Sequence, residues 1–278
     1  MTHHDQQPAQ TIDQVLDALD GIIAQALRDG SRLGYFAVLY RKVTAKVRDG
    51  IAAGFFDDGE RMQRLDVAFA NRYLVALSQF EQNRRPPRPT RCWELAFEAA
   101  ARRSPIVLQH LLVGINAHIN LDLGVAAAVA APSQALPALR RDFDRVNEIL
   151  ASLVRQVQRD IGAVSPWIAL LDRIGGRSDE EVARFSIEVA RTEAWRFATE
   201  LAPLDVAAWS GPIGARDAQV SLLTQTILHP GLLRAGLLLI RSRESNDVRR
   251  IIEVLDRVEP PSLQAVEARV RQARATGD

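Results

Sequence analysis

Along most of the chain, apolar residues recur at intervals of three and four, the period of an α-helix with one face turned inward. Thr11 is placed to cap a first helix whose stripe is Ile12, Val15, Leu16, Leu19, Ile22, Ile23, Ala26 and Leu27, and Asp29-Gly30-Ser31 ends it. A second helix is expected over about residues 33–53, with Phe36, Leu39, Tyr40, Val43 and Val47 inward. Asp57-Asp58-Gly59 opens a third, striped by Met62, Leu65, Phe69, Tyr73, Leu77 and Phe80. Thr90 caps a helix to about Arg103. Ser104 followed by Pro105 then predicts a long helix reaching Ala131, with proline at its first position and Pro132 as its stop. Residues 139–161 form an amphipathic helix striped by Phe143, Val146, Leu150, Leu153, Val157 and Ile161. Pro166 starts a short helix ended by Gly175-Gly176. Ser178 with Glu181 reads as a capping box for a helix to about Leu201.

Three or four shorter helices fill the remainder, with breaks at Gly211-Pro212, His229-Pro230, Ser245-Asn246 and Pro260-Pro261. The last segment, residues 263–275, is charged. No stretch alternates at period two with β-branched residues, so strands are not expected. The pattern predicts an all-α fold of about ten helices packed around a buried central helix near residues 105–131. Residues 1–10 are expected as a disordered tail and 11–278 as a single helical domain. A proline- and arginine-rich loop, RRPPRP at 84–89, interrupts it.

The central stretch, SPIVLQHLLVGINAHINLDLGVAAAVAA at 104–131, is long enough to cross a bilayer. A membrane is not expected, because Asp122 would sit inside it at a cost of about 2.5–3.5 kcal/mol, and Gln109, two histidines and two asparagines add to that. Arginine pairs flank the stretch on both sides, at 102–103 and 140–141, and give no orientation bias.

Composition adds little. Hydrophobic residues make up 47% of the 278 and charged residues 25%, as in ordinary globular proteins. A net charge of +1 gives no drive toward nucleic acid. The start of the chain lacks a basic segment followed by an apolar one, so no secretion signal is expected. One cysteine, Cys92, excludes an internal disulfide framework, and cytoplasm is the expected compartment. Cys92 itself is expected to be a packed thiol.

Candidate chemistry concentrates in the central helix. His110, Gly114, His118 and Asp122 are four residues apart and lie on one slowly drifting face. Imidazole and carboxylate are the lone-pair donors that a divalent ion such as zinc or iron takes. A neighbouring helix offers Asp66, beside the inward stripe of the third helix, as a further ligand. Asn116, Asn120 and Asn147 are candidates to orient a small-molecule substrate. Gly114 leaves room for a ligand or a close helix. In this reading His110, His118, Asp122 and Asp66 hold one metal ion that activates water, with hydrolysis the first expectation. The competing reading is a non-enzymatic ligand-binding or interaction module in which the histidines and asparagines only fix helix register. No nucleophile elbow, phosphate-binding glycine loop or dinucleotide fingerprint occurs.

Several stretches resemble a bacterial family of uncharacterised proteins: GYFAVLYRKVT (34–44), RLDVAFANRYL (64–74), PIVLQHLLVGINAHINLDLG (105–124), DFDRVNEIL (142–150) and PWIALLDR (166–173). The resemblance implies a relative but no activity. Locally, Gly114-x3-His118-x3-Asp122 is similar to the helical signature of zinc-dependent phospholipase C and P1-type nucleases. That resemblance implies an all-α phosphoester hydrolase with His118 and Asp122 as zinc ligands.

Overall fold

The computed structural model describes residues 7–82, 86–168 and 187–257. Thr11 Oγ1 accepts the Gln14 N–H (3.2 Å) and starts α1 (Ile12–Asp29), which ends at Gly30 with a left-handed φ of 62°. That φ is free of steric cost for glycine. α2 (Leu33–Ala52) follows, then α3 (Gly59–Glu81), capped by Asp58, which accepts the Arg61 N–H at 2.9 Å. Of the expected tail, residues 1–6 lie outside the described residues. Ala9 is buried, its N–H and C=O bonded to the Asn71 side chain at 2.9 and 2.8 Å.

α4 (Arg91–Ala100) is shorter than the periodicity predicts, and Thr90 makes no capping bond. Asp217, from a helix far along the chain, takes the N–H groups of Arg91 (2.7 Å) and Cys92 (2.9 Å) instead. The central helix is also capped from a distance. It begins at Val107, past Ser104-Pro105, and both oxygens of Glu244 accept the Val107 N–H at 3.1 Å. A carboxylate over a helix N-terminus satisfies an orphan donor and complements the helix dipole.

This helix comprises α5 (Val107–Ala117), a π-turn (His118–Asp122) and α6 (Leu123–Ala130). In the π-turn the Leu123 N–H reaches back five residues to the His118 carbonyl, which inserts an extra residue into one turn. His118 and Asp122, at the two ends of this turn, stay neighbours, 4.0 Å apart. α7 (Leu136–Val164), α8 (Ile187–Leu201), α9 (Ser210–Leu228), α10 (Arg234–Arg241) and α11 (Val248–Leu255) complete the described helices. Gly211-Pro212 opens α9 rather than breaking the chain, since proline costs nothing in a first turn. The other two described breaks, His229-Pro230 and Ser245-Asn246, separate α9 from α10 and α10 from α11. The Ser178–Glu181 capping box, the Gly175-Gly176 stop, Pro260-Pro261 and the final charged segment lie outside the described residues.

With Val107–Ala130 counted as one, ten α-helices and no strand occur among the described residues, packed as a single all-α domain. α2, α3, α4, α8 and α9 surround the central helix, while α1 and α11 pack on α2, and α7 runs across α2, α3 and α6. Two glycines set close approaches to the central helix. A Cβ on Gly114 would lie 2.6 Å from the Phe36 ring, and one on Gly124 would lie 2.7 Å from the Ala194 carbonyl oxygen on α8. Gly114 thus serves a close aromatic ring on α2. The loop before α3 is tied to α7 by buried Asp142, which accepts the N–H groups of Asp57 (2.7 Å) and Asp58 (3.1 Å) and an Arg61 guanidinium N–H (3.0 Å).

By length and composition, Val107–Ala130 (mean hydropathy 1.4) and Ser210–Arg241 (1.2) each suffice to cross a membrane; 78% of the first and 17% of the second is buried within the protein.

Gly124→Ala is expected to cost about 1–3 kcal/mol, because backbone cannot yield as a side chain can. Gly162→Ala in α7, with open space around its Cβ position, should gain about 0.5 kcal/mol from helix propensity. Urea unfolding of both variants checks the contrast.

Candidate functional site

The polar residues of the central helix divide into two sets. Asp122 belongs to the first. It is fully buried, with Oδ1 accepting from Arg72 Nε (2.5 Å) and Oδ2 from Trp93 Nε1 (2.7 Å). Burial alone would push its pKa up. The Arg72 charge, with help from the Trp93 N–H, outweighs burial and holds the carboxyl below the usual range. Both oxygens are thereby engaged in joining α3 and α4 to the π-turn.

Asn116 is likewise engaged: its amide donates to the Val220 carbonyl and to Thr224 Oγ1, both at 2.9 Å. Asn120 donates to Asn116 Oδ1 (2.8 Å), and its own carbonyl accepts Arg216 Nε (2.8 Å). These bonds fasten the π-turn to α9. Neither asparagine lines the cavity described below, and nor does Asn147, half-buried on α7.

His110 sits apart from His118. It packs edge-on against Tyr35 (5.8 Å between centroids), and burial, with Arg32 and Arg241 adding to it, lowers its pKa to about 3. It is a neutral imidazole in an aromatic setting near the start of α5.

The second set faces a cavity of about 260 Å³ between α2, α3, the central helix, α7 and α8. Its wall is almost wholly hydrocarbon: Leu39, Val43, Leu65, Ile115, Val146 and Leu150 are representative. Four residues interrupt that wall with unused polar groups. Asp66 is buried, and its Oδ2 has no hydrogen-bond partner. No ion pair to Arg64 forms, and burial pushes its pKa up to about 7. His118 is clamped flat against Phe69 (centroids 3.5 Å apart, planes at 10°) and edge-on to Phe36 and Tyr40. Neither of its ring nitrogens finds a partner; Nδ1 is 4.0 Å from Asp122. Burial lowers its pKa, more than the attraction of Asp122 restores, so the ring is neutral. The Tyr40 hydroxyl is buried and unbonded, and its pKa is raised well above normal by burial, with Asp66 and Asp122 adding to the effect. Arg191 reaches the same cavity from α8.

Burying a polar atom without a partner costs about 1–3 kcal/mol, and natural interiors rarely carry several together. Asp66 Oδ2, both His118 nitrogens and the Tyr40 hydroxyl on one apolar cavity are thus the strongest functional signal in the molecule. A groove of about 580 Å³ between α1 and α3 is larger, but the Asn71 amide that lines it is already used by Ala9.

The metal quartet expected from the sequence is not assembled. His110 packs against Tyr35 and does not line the cavity, Asp122 is spent on Arg72 and Trp93, and no three His, Cys, Asp or Glu side chains converge as a metal site among the described residues. As they stand, His110, His118, Asp122 and Asp66 do not fit a shared divalent ion.

The sequence named Asp66 and His118, as metal ligands, and placed Tyr40 inward only as an apolar body; all three line the cavity. It also missed the roles of Arg72 and Trp93. The signal for those two was a buried Asp122 with a charge still to be matched.

Fold and cavity define the class: an all-α domain with an apolar cavity lined by residues that carry unpaired polar groups. The chain belongs to a family of unknown function, DUF5995, whose model matches residues 12–230. No curated protein and no solved structure matches it.

Asp122→Ala leaves Arg72 uncompensated and should cost about 3–5 kcal/mol in urea unfolding. Asp66 has the opposite sign. Its folded pKa is raised, so the native state binds the extra proton and stability falls as pH rises from about 4 through about 7. Asp66→Asn should therefore stabilise the protein at pH 8, by up to about 4 kcal/mol, and change little at pH 4. Unfolding at both pH values tests it.

Proposed function

We propose that the protein binds a small, largely apolar molecule in the cavity between α2, α3, the central helix and α7. One observation carries this reading: Asp66, His118 and Tyr40, each with a buried polar atom that has no partner, line one hydrocarbon-walled cavity. A packed interior would have repaired or replaced these groups. A bound molecule with a hydroxyl, carbonyl or amide beside a hydrocarbon body would satisfy them. Neutral His118 offers it one donor and one acceptor, and a protonated Asp66 offers a donor. The preformed apolar pocket with few polar groups is the usual form of such sites. Asn116, Asn120 and Asp122 hold the π-turn that presents His118. The reading places the protein in the cytoplasm, as the single buried thiol Cys92 suits a reducing compartment.

A catalytic version rests on one further observation, the Asp66 pKa near 7. A carboxylate poised at neutrality beside a bound molecule is suited to general-base hydrolysis. It would show as ester turnover that rises through pH 7 and is lost in Asp66→Asn.

Calorimetric titration with 1-decanol tests the binding reading. Saturable 1:1 binding is expected, and it should be abolished by Leu150→Trp, which fills the cavity. Concentrations of decanol near 100 times Kd should raise stability by about 2.7 kcal/mol. Absence of saturable binding by the alcohols from hexanol to dodecanol would overturn it.

A further inference from the structure

Resting on the cavity reading, we propose that the bound molecule is a monocarboxylate with an apolar body, its carboxylate taken by Arg191. Arg191 is 5% exposed and lines the cavity. One guanidinium nitrogen donates to the Phe143 carbonyl, and the group lies 4.4 Å over the Phe143 ring. Its Nε is buried without an acceptor. No carboxylate among the described residues comes within ion-pair distance of it.

Several other cations in the interior of this protein are paired with carboxylates. Lys42, the other fully buried one among the described residues, meets Asp160 at 3.3 Å. Arg72 meets Asp122, Arg61 meets Asp142, and Arg241 lies 3.7 Å from Glu244. The acid that acts on Arg191, Asp144, is bonded to Arg140 at 2.7 Å on the surface. Burial brings the guanidinium down to about 10, which still leaves it charged at neutral pH. A buried, charged guanidinium beside a cavity, unpaired among the described residues, is suited to an anion bound there.

The anion is a carboxylate rather than a phosphate. A carboxylate brings one charge and two oxygens, which match one planar guanidinium. A phosphate monoester would bring a second charge, and no other cation lines the cavity among the described residues. Val146, Leu150, Leu153 and Ile187 from α7 and α8 supply the hydrocarbon surface for the body of the molecule.

The experiment compares decanoate, decanol and decyl phosphate on the full-length protein by calorimetric titration, alongside Arg191→Met. Decanoate is expected to bind the wild type more tightly than decanol. It should lose about 10- to 100-fold in Arg191→Met, while decanol affinity stays unchanged. Retained decanol binding shows that the variant is folded with its cavity intact. Should the variant fail to fold, the order of the three probes on wild type still decides. If decanol binds as well as decanoate, or Arg191→Met keeps full decanoate affinity, the carboxylate assignment falls and the cavity reading stands. Tighter binding of decyl phosphate would likewise replace it. If none of the three binds wild-type protein, both readings fall together.

Discussion

The carboxylate of Asp122 is the constraint on which the rest of the arrangement depends. A charge placed at the centre of a helical domain must be matched where it lies, because water cannot reach it. Arg72 and Trp93 match it from two different helices, so one side chain fixes α3 and α4 against the central helix. It does so from the last position of a π-turn. Asn116, Asn120 and Arg216 fasten the same turn to α9. A π-turn is a costly conformation, and here three helices hold it in place.

The consequence is a division of labour between neighbouring polar groups of the same chemical type. Asp122 and the two asparagines have all or most of their bonding capacity filled by the protein. His118, one turn before Asp122, is fixed by rings instead of hydrogen bonds, with Phe69, Phe36 and Tyr40 around it. Aromatic contacts orient an imidazole without consuming its nitrogens. Asp66 sits on α3 among apolar neighbours in the same way. The molecule therefore builds one carboxylate into its frame and keeps another in reserve at the cavity, and it does the same with its interior cations, Arg72 and Arg191.

The all-α class, the helix order and the burial of the central stretch were legible because each is written in local periodicity. So was the concentration of polar groups on that stretch. The division between framework and cavity was not. It depends on partners far away in sequence: Arg72 and Trp93 for Asp122, Val220 and Thr224 for Asn116. The four-residue spacing suggested that His110, His118 and Asp122 converge. His110 and His118 are separated by two turns of regular helix, about 12 Å of rise, and pack against different rings, Tyr35 and Phe69. Remote capping escaped notice for the same reason, since Glu244, in the connection after α10, and Asp217, on α9, are brought to α5 and α4 only by the fold.

A carboxyl ¹³C NMR titration of the folded protein tests the division most directly, since it reads Asp66 and Asp122 in one experiment. The account predicts that Asp122 stays ionised well into acid, below the usual carboxylate range, while Asp66 titrates near pH 7. Two carboxyls titrating together near pH 4, or Asp122 titrating above Asp66, would contradict it.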